Sequence, residues 1–196
     1  MYIEEKLDEL NEKFYKYIQT IEESLQKKEL VDEFFFIDLK EFDNEVIRVI
    51  ALYHPQGELL REAIAFLKIS SFLVKIKKSV KSFIKKYDFS NDKIDALYQN
   101  ALSSITTLKL AIKSDNIEDA YSTIISYEKI ADEIYKELVL EIKKIDDIDL
   151  ILKTLNIAKK LERISDSVKT ITKYCLFAKE GIDLWLLLLL KMKRIY

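Results

Sequence analysis

Apolar residues recur at helical spacing along most of the chain. Ile3, Leu7, Leu10, Phe14, Tyr17 and Ile21 stand alternately four and three apart, which keeps one stripe facing a partner and predicts a helix from about Ile3 to Lys28. A second helix is predicted over roughly Asp32 to Tyr53, ending at His54-Pro55 because the residue before a proline is pushed away from helical geometry. A third begins near Gly57 and continues to about Tyr87. The segment 88–92 (Asp-Phe-Ser-Asn-Asp) is turn-like and able to cap the next helix, so it is the expected central break. The fourth helix is expected from about Asp92 to Lys113, and Asp115 with Glu118 reads as an acidic capping box for the fifth. The fifth carries Ile117, Ala120, Ile124, Tyr127, Ala131, Ile134 and Leu138 on its stripe. Asp146 to Asp149 separates it from a sixth that lasts until Lys179, with Gly181 as its stop. Short connections between such long helices favour antiparallel neighbours.

The third and sixth helices share a pattern. Leu67, Ile69, Leu73, Ile76, Ser79, Val80 and Lys81 match Leu155, Ile157, Leu161, Ile164, Ser167, Val168 and Lys169 at a constant shift without a gap. Helices one to three and four to six are then two versions of one unit. The predicted fold is all-α: two tandem three-helix bundles, six long helices plus a short C-terminal apolar helix. The expected divisions are 1–89, 90–181 and an apolar and basic tail, 182–196.

Composition agrees with this pattern. The chain of 196 residues has 2 Gly and 1 Pro, too few for a strand-rich domain and suited to long helices. Cys175 is the single cysteine, so an internal disulfide is excluded. Met1 to Asp8 carries acids rather than a basic start and an apolar stretch, from which no signal peptide and a cytoplasmic location are expected. Lys and Arg number 32 against 34 acids, a balance that argues against a general nucleic-acid binder. No Gly-rich phosphate loop and no nucleophile–base arrangement stands out, so an enzyme is not expected. His54, the sole histidine, cannot supply the paired Glu-x-x-His motifs of ferritin-like oxidases and reads as a turn residue.

The candidate chemistry lies in the acids. Glu128 and Asp132 are four apart on the fifth helix, and Glu162 and Asp166 are four apart on the sixth, so each pair shares a helix face. Each pair starts one position after a stripe residue, beside the groove between helices. Such a cluster of like charges needs cations, whereas the same spacing in Glu4, Asp8 and Glu12 suits a solvated face. The residues alone leave both readings open.

The stretch Leu161-Glu162-Arg163-Ile164-Ser165-Asp166, continuing to Tyr174 through Gly181, resembles the last-helix signature of the PhoU family of phosphate-uptake regulators. Glu128 to Asp132 resembles the matching motif on the preceding helix. His54-Pro55 with Leu59, Leu60, Arg61 and Ala65 to Ile69 resembles its first-repeat signature. The resemblance reaches nearly to Gly181. It implies tandem three-helix bundles and a regulator or adaptor acting with membrane phosphate transporter subunits and, in many bacteria, a sensor kinase. A homodimer is also expected, in the cytoplasm or at the inner membrane surface. Several members carry metal clusters on such motifs, and the resemblance makes Glu128, Asp132, Glu162 and Asp166 the ligands. The metal expected is iron foremost, with zinc, manganese or magnesium as alternatives, since oxygen ligands suit hard ions. The first repeat departs from the pattern: Leu39, Val74 and Lys78 stand where Glu128, Glu162 and Asp166 would be, and only Asp43 matches Asp132. One metal site is therefore expected, with Lys78 pairing with Asp43 in place of an ion. A metal-free scaffold serving a different transporter is the alternative, with a metal-dependent hydrolase or oxidase behind it.

Three features lie outside that frame. Lys75, Lys77, Lys78, Lys81, Lys85 and Lys86 crowd the end of the third helix and read as a solvated face, or one that meets an acidic partner or anionic membrane. Phe34-Phe35-Phe36 reads as core or dimer contact. Leu184 to Leu190 is too short to span a bilayer and, if helical, must bury itself on the bundle or a second subunit. Peripheral membrane contact through Trp185, Lys191, Lys193 and Arg194 is its alternative.

Overall fold

The computed structural model describes residues 2–86, 91–114 and 116–181. Its helices are α1 (Tyr2–Lys27), α2 (Leu39–Tyr53), α3 (Gly57–Lys86), α4 (Asp92–Ser114), α5 (Ile117–Ile142) and α6 (Ile148–Glu180). Tyr87 at the expected end of the third helix, residues 88–90 of the expected central break, the Asp115 cap and the tail 182–196 lie outside the described residues.

The ends of the helices follow from local chemistry. Asn91 accepts from the backbone N–H of Lys93 at 2.9 Å and of Ile94 at 3.1 Å, capping α4. Asp147 caps α6 by accepting from Leu150 N–H at 3.1 Å. Gly181 stops α6 in the left-handed region, φ 66°, and its N–H reaches Phe177 O at 2.9 Å. His54 plays the same part for α2 at φ 47°, confirming it as a turn residue.

The second element is not continuous, contrary to the expectation of one helix over Asp32 to Tyr53. Asp32–Phe36 forms a short 3-10 turn, and α2 starts only after Asp38. Asp38 accepts from the N–H groups of Lys40 and Glu41 at 3.0 Å each, which fixes a helix start inside the predicted helix. Of the three phenylalanines, Phe34 is core, while Phe35 and Phe36 are exposed.

Positions matched through the internal shift take the same place in the packing. Ile69 and Ile157, Leu73 and Leu161, Ile76 and Ile164, and Val80 and Val168 are all buried, as are Ser79 and Ser167. Each buried Leu or Ile contributes about 1.5–3 kcal/mol of hydrophobic stabilisation. α3 and α6 pack on one another more extensively than any other pair, and α1 meets α4. α2 packs against α3 and α1, and α5 packs against α6 and α4. One polar junction crosses between α1 and α4. Glu22, buried, accepts from Thr106 Oγ1 at 2.6 Å and from Lys109 Nζ. Beside it Tyr98 donates its hydroxyl to Leu25 O at 2.8 Å.

Candidate functional site

Helical register carries all four predicted acids to the seam between α5 and α6. Ala131 of α5 and Leu161 of α6 are buried, so residues one position along their helices sit at the edge of the core rather than within it. The side chains of Glu128 and Glu162 are each 18% exposed, and that of Asp166 is 51% exposed. The acids form one electrostatic neighbourhood. Glu162 has its pKa raised, first by burial and then by Asp166 and Asp132, while Lys159 and Arg163 pull it back. Its Oε2 is buried and has no hydrogen-bond partner.

A lysine holds the opposite end of the cluster. Lys169 Nζ donates to Glu128 Oε1 at 2.6 Å and lies 3.6 Å from Asp166 Oδ1, tying α5 to α6. Burial works against the Lys169 charge, but the Glu128 hydrogen bond and Asp166 outweigh it, and the pKa is raised. Lys159 reaches Glu162 at 4.0 Å and lies over the Tyr135 ring at 5.6 Å. Tyr121 has its hydroxyl pKa raised by burial, with Lys169 opposing and Glu128 adding to the shift.

For a metal the fit is partial. The oxygen donors suit a hard cation, and Glu162 Oε2, which has the Lys159 ammonium 4.0 Å away but no hydrogen bond, could take a closer cation or a proton. Among the described residues, however, no three His, Cys, Asp or Glu side chains converge to hold a metal ion. The Lys169 ammonium already neutralises Glu128 and Asp166. In the sequence pattern Lys169 figures only as a repeat position. The signal was present, because it follows Asp166 by three residues and Glu162 by seven on one helical face.

The expected Lys78–Asp43 pair is not formed. Asp43 Oδ1 is buried without a hydrogen-bond partner, and among the described residues no ion pair joins it to Lys78. The reason is register. Consecutive helical residues point about 100° apart, and it is Lys77 that faces the start of α2, donating to Ile37 O at 2.6 Å. Lys78 instead lines a groove between α3 and α6.

Comparison with known proteins bears on the same elements. Residues 94–175, from α4 into α6 and including all four acids, match the PhoU domain family. A phosphate-specific transport system accessory protein PhoU homolog of Borreliella burgdorferi is 29% identical over 189 residues, covering 84% of this chain and 82% of that protein. The crystal structure of the phosphate transport system regulatory protein PhoU from Streptococcus pneumoniae superposes with a TM-score of 0.76. Its identity is 18%, over 92% of this chain and 98% of that one. PhoU from Pseudomonas aeruginosa gives a TM-score of 0.65 at 18% identity, over 92% of this chain and 96% of that one. At such identities these two structures speak for the fold alone.

Proposed function

We propose, for a chain whose residues 94–175 match the PhoU domain family, a regulatory accessory protein of phosphate uptake, acting by binding and not by catalysis. The observation that carries this reading is its similarity, over 84% of its length, to an accessory protein of a phosphate-specific transport system. Its partners are the subunits of a membrane phosphate transporter and, where present, a sensor kinase; it works as a homodimer in the cytoplasm, at the inner membrane face. No described helix is long and apolar enough to cross a membrane. Contact with a transporter is assigned to the bundle surface, where Phe35, Phe36 and Leu52 offer exposed apolar side chains on or beside α2. The test is co-purification with the transporter subunits, together with phosphate uptake in a strain lacking this protein. Capture of the transporter and deregulated uptake are expected; normal uptake and no capture would refute the proposal.

The second part of the proposal gives Glu128, Asp132, Glu162 and Asp166 to one hard cation, iron foremost, with zinc, manganese or magnesium as alternatives. Such an ion would add positive charge at the α5–α6 seam. It has to compete with Lys169 for Glu128 and Asp166. The metal-free scaffold is the second reading, and that lysine pairing favours it. Metal content of untagged protein purified without chelator decides between them. Metal lost in the Asp132→Asn, Asp166→Asn double variant supports the ion, and none in either sample supports the scaffold.

A further inference from the structure

We propose that the groove between α3 and α6 binds a phosphate-chain anion, with Lys75 and Lys78 on one wall and Lys160, Arg163 and Lys169 on the other. This inference does not rest on the regulatory reading, and the groove shares Asp166 and Lys169 with the acidic seam. The groove has a volume of ≈ 510 Å³. It gathers five cationic side chains around one acid, Asp166, in a protein of net charge −2. From Ala63 to the end of α3 there is no acidic residue at all. Among the described residues Lys78, Lys160 and Arg163 enter no ion pair, although the chain carries 34 acids. Lys75 lies over the Phe72 ring at 4.2 Å. Like charges held in a concave surface, three of them here outside any ion pair, focus a positive potential, and that potential is relieved by an anion.

The internal repeat builds this groove. Ser79 and Ser167, matched through the shift and both buried, lie at its base, and Lys75 and Arg163 are matched in the same way above them. Lys78 takes the position that Asp166 holds in the second repeat, so the first repeat adds a cation where the second has an acid. An Arg fork, lysine point charges and hydroxyls together suit phosphoryl oxygens. Length favours several linked phosphates over one. Lys160 and Lys169 are separated by nine residues of helix, about 13 Å along its axis. A nucleic-acid duplex fits poorly, because it calls for a broad basic face.

The test is calorimetric titration of the full chain, free of divalent metal, with tripolyphosphate, ATP and orthophosphate at physiological salt. Tripolyphosphate is expected to bind one per chain, and orthophosphate about tenfold or more weaker. ATP binding as tightly as tripolyphosphate would identify the phosphate chain as the whole determinant, and tighter ATP binding would add the nucleoside to it. Lys78→Glu and Arg163→Glu should each weaken tripolyphosphate by about tenfold or more. Lys40→Glu and Lys136→Glu make the same charge change on exposed helix faces elsewhere and should leave affinity within about threefold. All four side chains are exposed, and unchanged circular dichroism verifies the fold. Absence of tripolyphosphate binding, equal loss in the control variants, or orthophosphate binding as tightly as tripolyphosphate would each overturn the proposal.

Discussion

Replacing Glu22 by alanine asks whether a buried charge joins the first repeat to the second. The Glu22 side chain is 3% exposed and accepts from Thr106 Oγ1 at 2.6 Å and from Lys109 Nζ, so a residue of α1 is held by two residues of α4. Hydrogen bonds to charged groups contribute about 1.5–3 kcal/mol each, and removing one partner of a buried pair costs about 3–5 kcal/mol. Lys109 remains 22% exposed and recovers water when its partner is gone. The low end therefore applies, about 3 kcal/mol for Glu22→Ala. Glu22→Gln keeps an acceptor for Thr106 and should cost about half of that. Replacing both Glu22 and Lys109 by methionine removes the charges together and should return to within about 1 kcal/mol of the parent. Urea unfolding followed by circular dichroism measures all four proteins, with the loss appearing in the midpoint at an unchanged m-value. An alanine variant within about 0.5 kcal/mol of the parent, or a double variant as unstable as Glu22→Ala, would refute the reasoning.

Burial raises the Glu162 pKa, so its stabilising contribution is complete below the unfolded carboxyl value and is lost as pH rises through the folded one; Glu162→Gln should therefore hold or raise the melting temperature at pH 7 and flatten its decline above about pH 4. Lys169→Met removes the ammonium from Glu128 and Asp166, and should cost about 1 kcal/mol in urea while raising manganese uptake in equilibrium dialysis if the four acids bind a cation. His54→Gly relieves a left-handed residue at the end of α2 and should raise stability by about 0.5–1 kcal/mol, a gain that a circular-dichroism melt detects as a higher melting temperature. Desolvation pushes the half-buried Cys175 thiol up to about 12, so its reaction with a thiol reagent at pH 8 should be slow and should speed up on unfolding. The stability held by its neutral form is present below the unfolded thiol value of about 8.5 and is lost as pH climbs from there toward the folded one.

The helices were legible because their signals are local. Apolar spacing, scarce Gly and Pro, and caps such as Asp147 and Gly181 lie within a few residues of the boundary they set. The start of α2 was missed although Asp38 followed by Glu41 is a capping signature, because the apolar run Phe34 to Ile37 led into it without a break. Glu22 could not be found this way. It follows Ile21 on the flank of a stripe, as a solvated acid would, and its partners stand more than eighty residues away. The acid pairs were legible from four-residue spacing, whereas the choice between Lys77 and Lys78 depends on where α2 sits around α3.

The two repeats separate what packing decides from what it leaves free. At matched positions facing the core, Leu73 and Leu161 or Val80 and Val168, both copies keep the same residue, because a change of volume there is felt throughout a close-packed layer. At the rim, Val74 stands against Glu162 and Lys78 against Asp166, and none of the four is a core residue. Charge at such positions changes without rebuilding the bundle, so one scaffold carries an acidic seam between α5 and α6 and a basic groove between α3 and α6. Lys169 belongs to both: it lines the groove and bonds to Glu128 across the seam. An ammonium shared in this way places the two sets of charges in one electrostatic unit. A change on either side is then felt on the other through a single side chain and requires no movement of the helices.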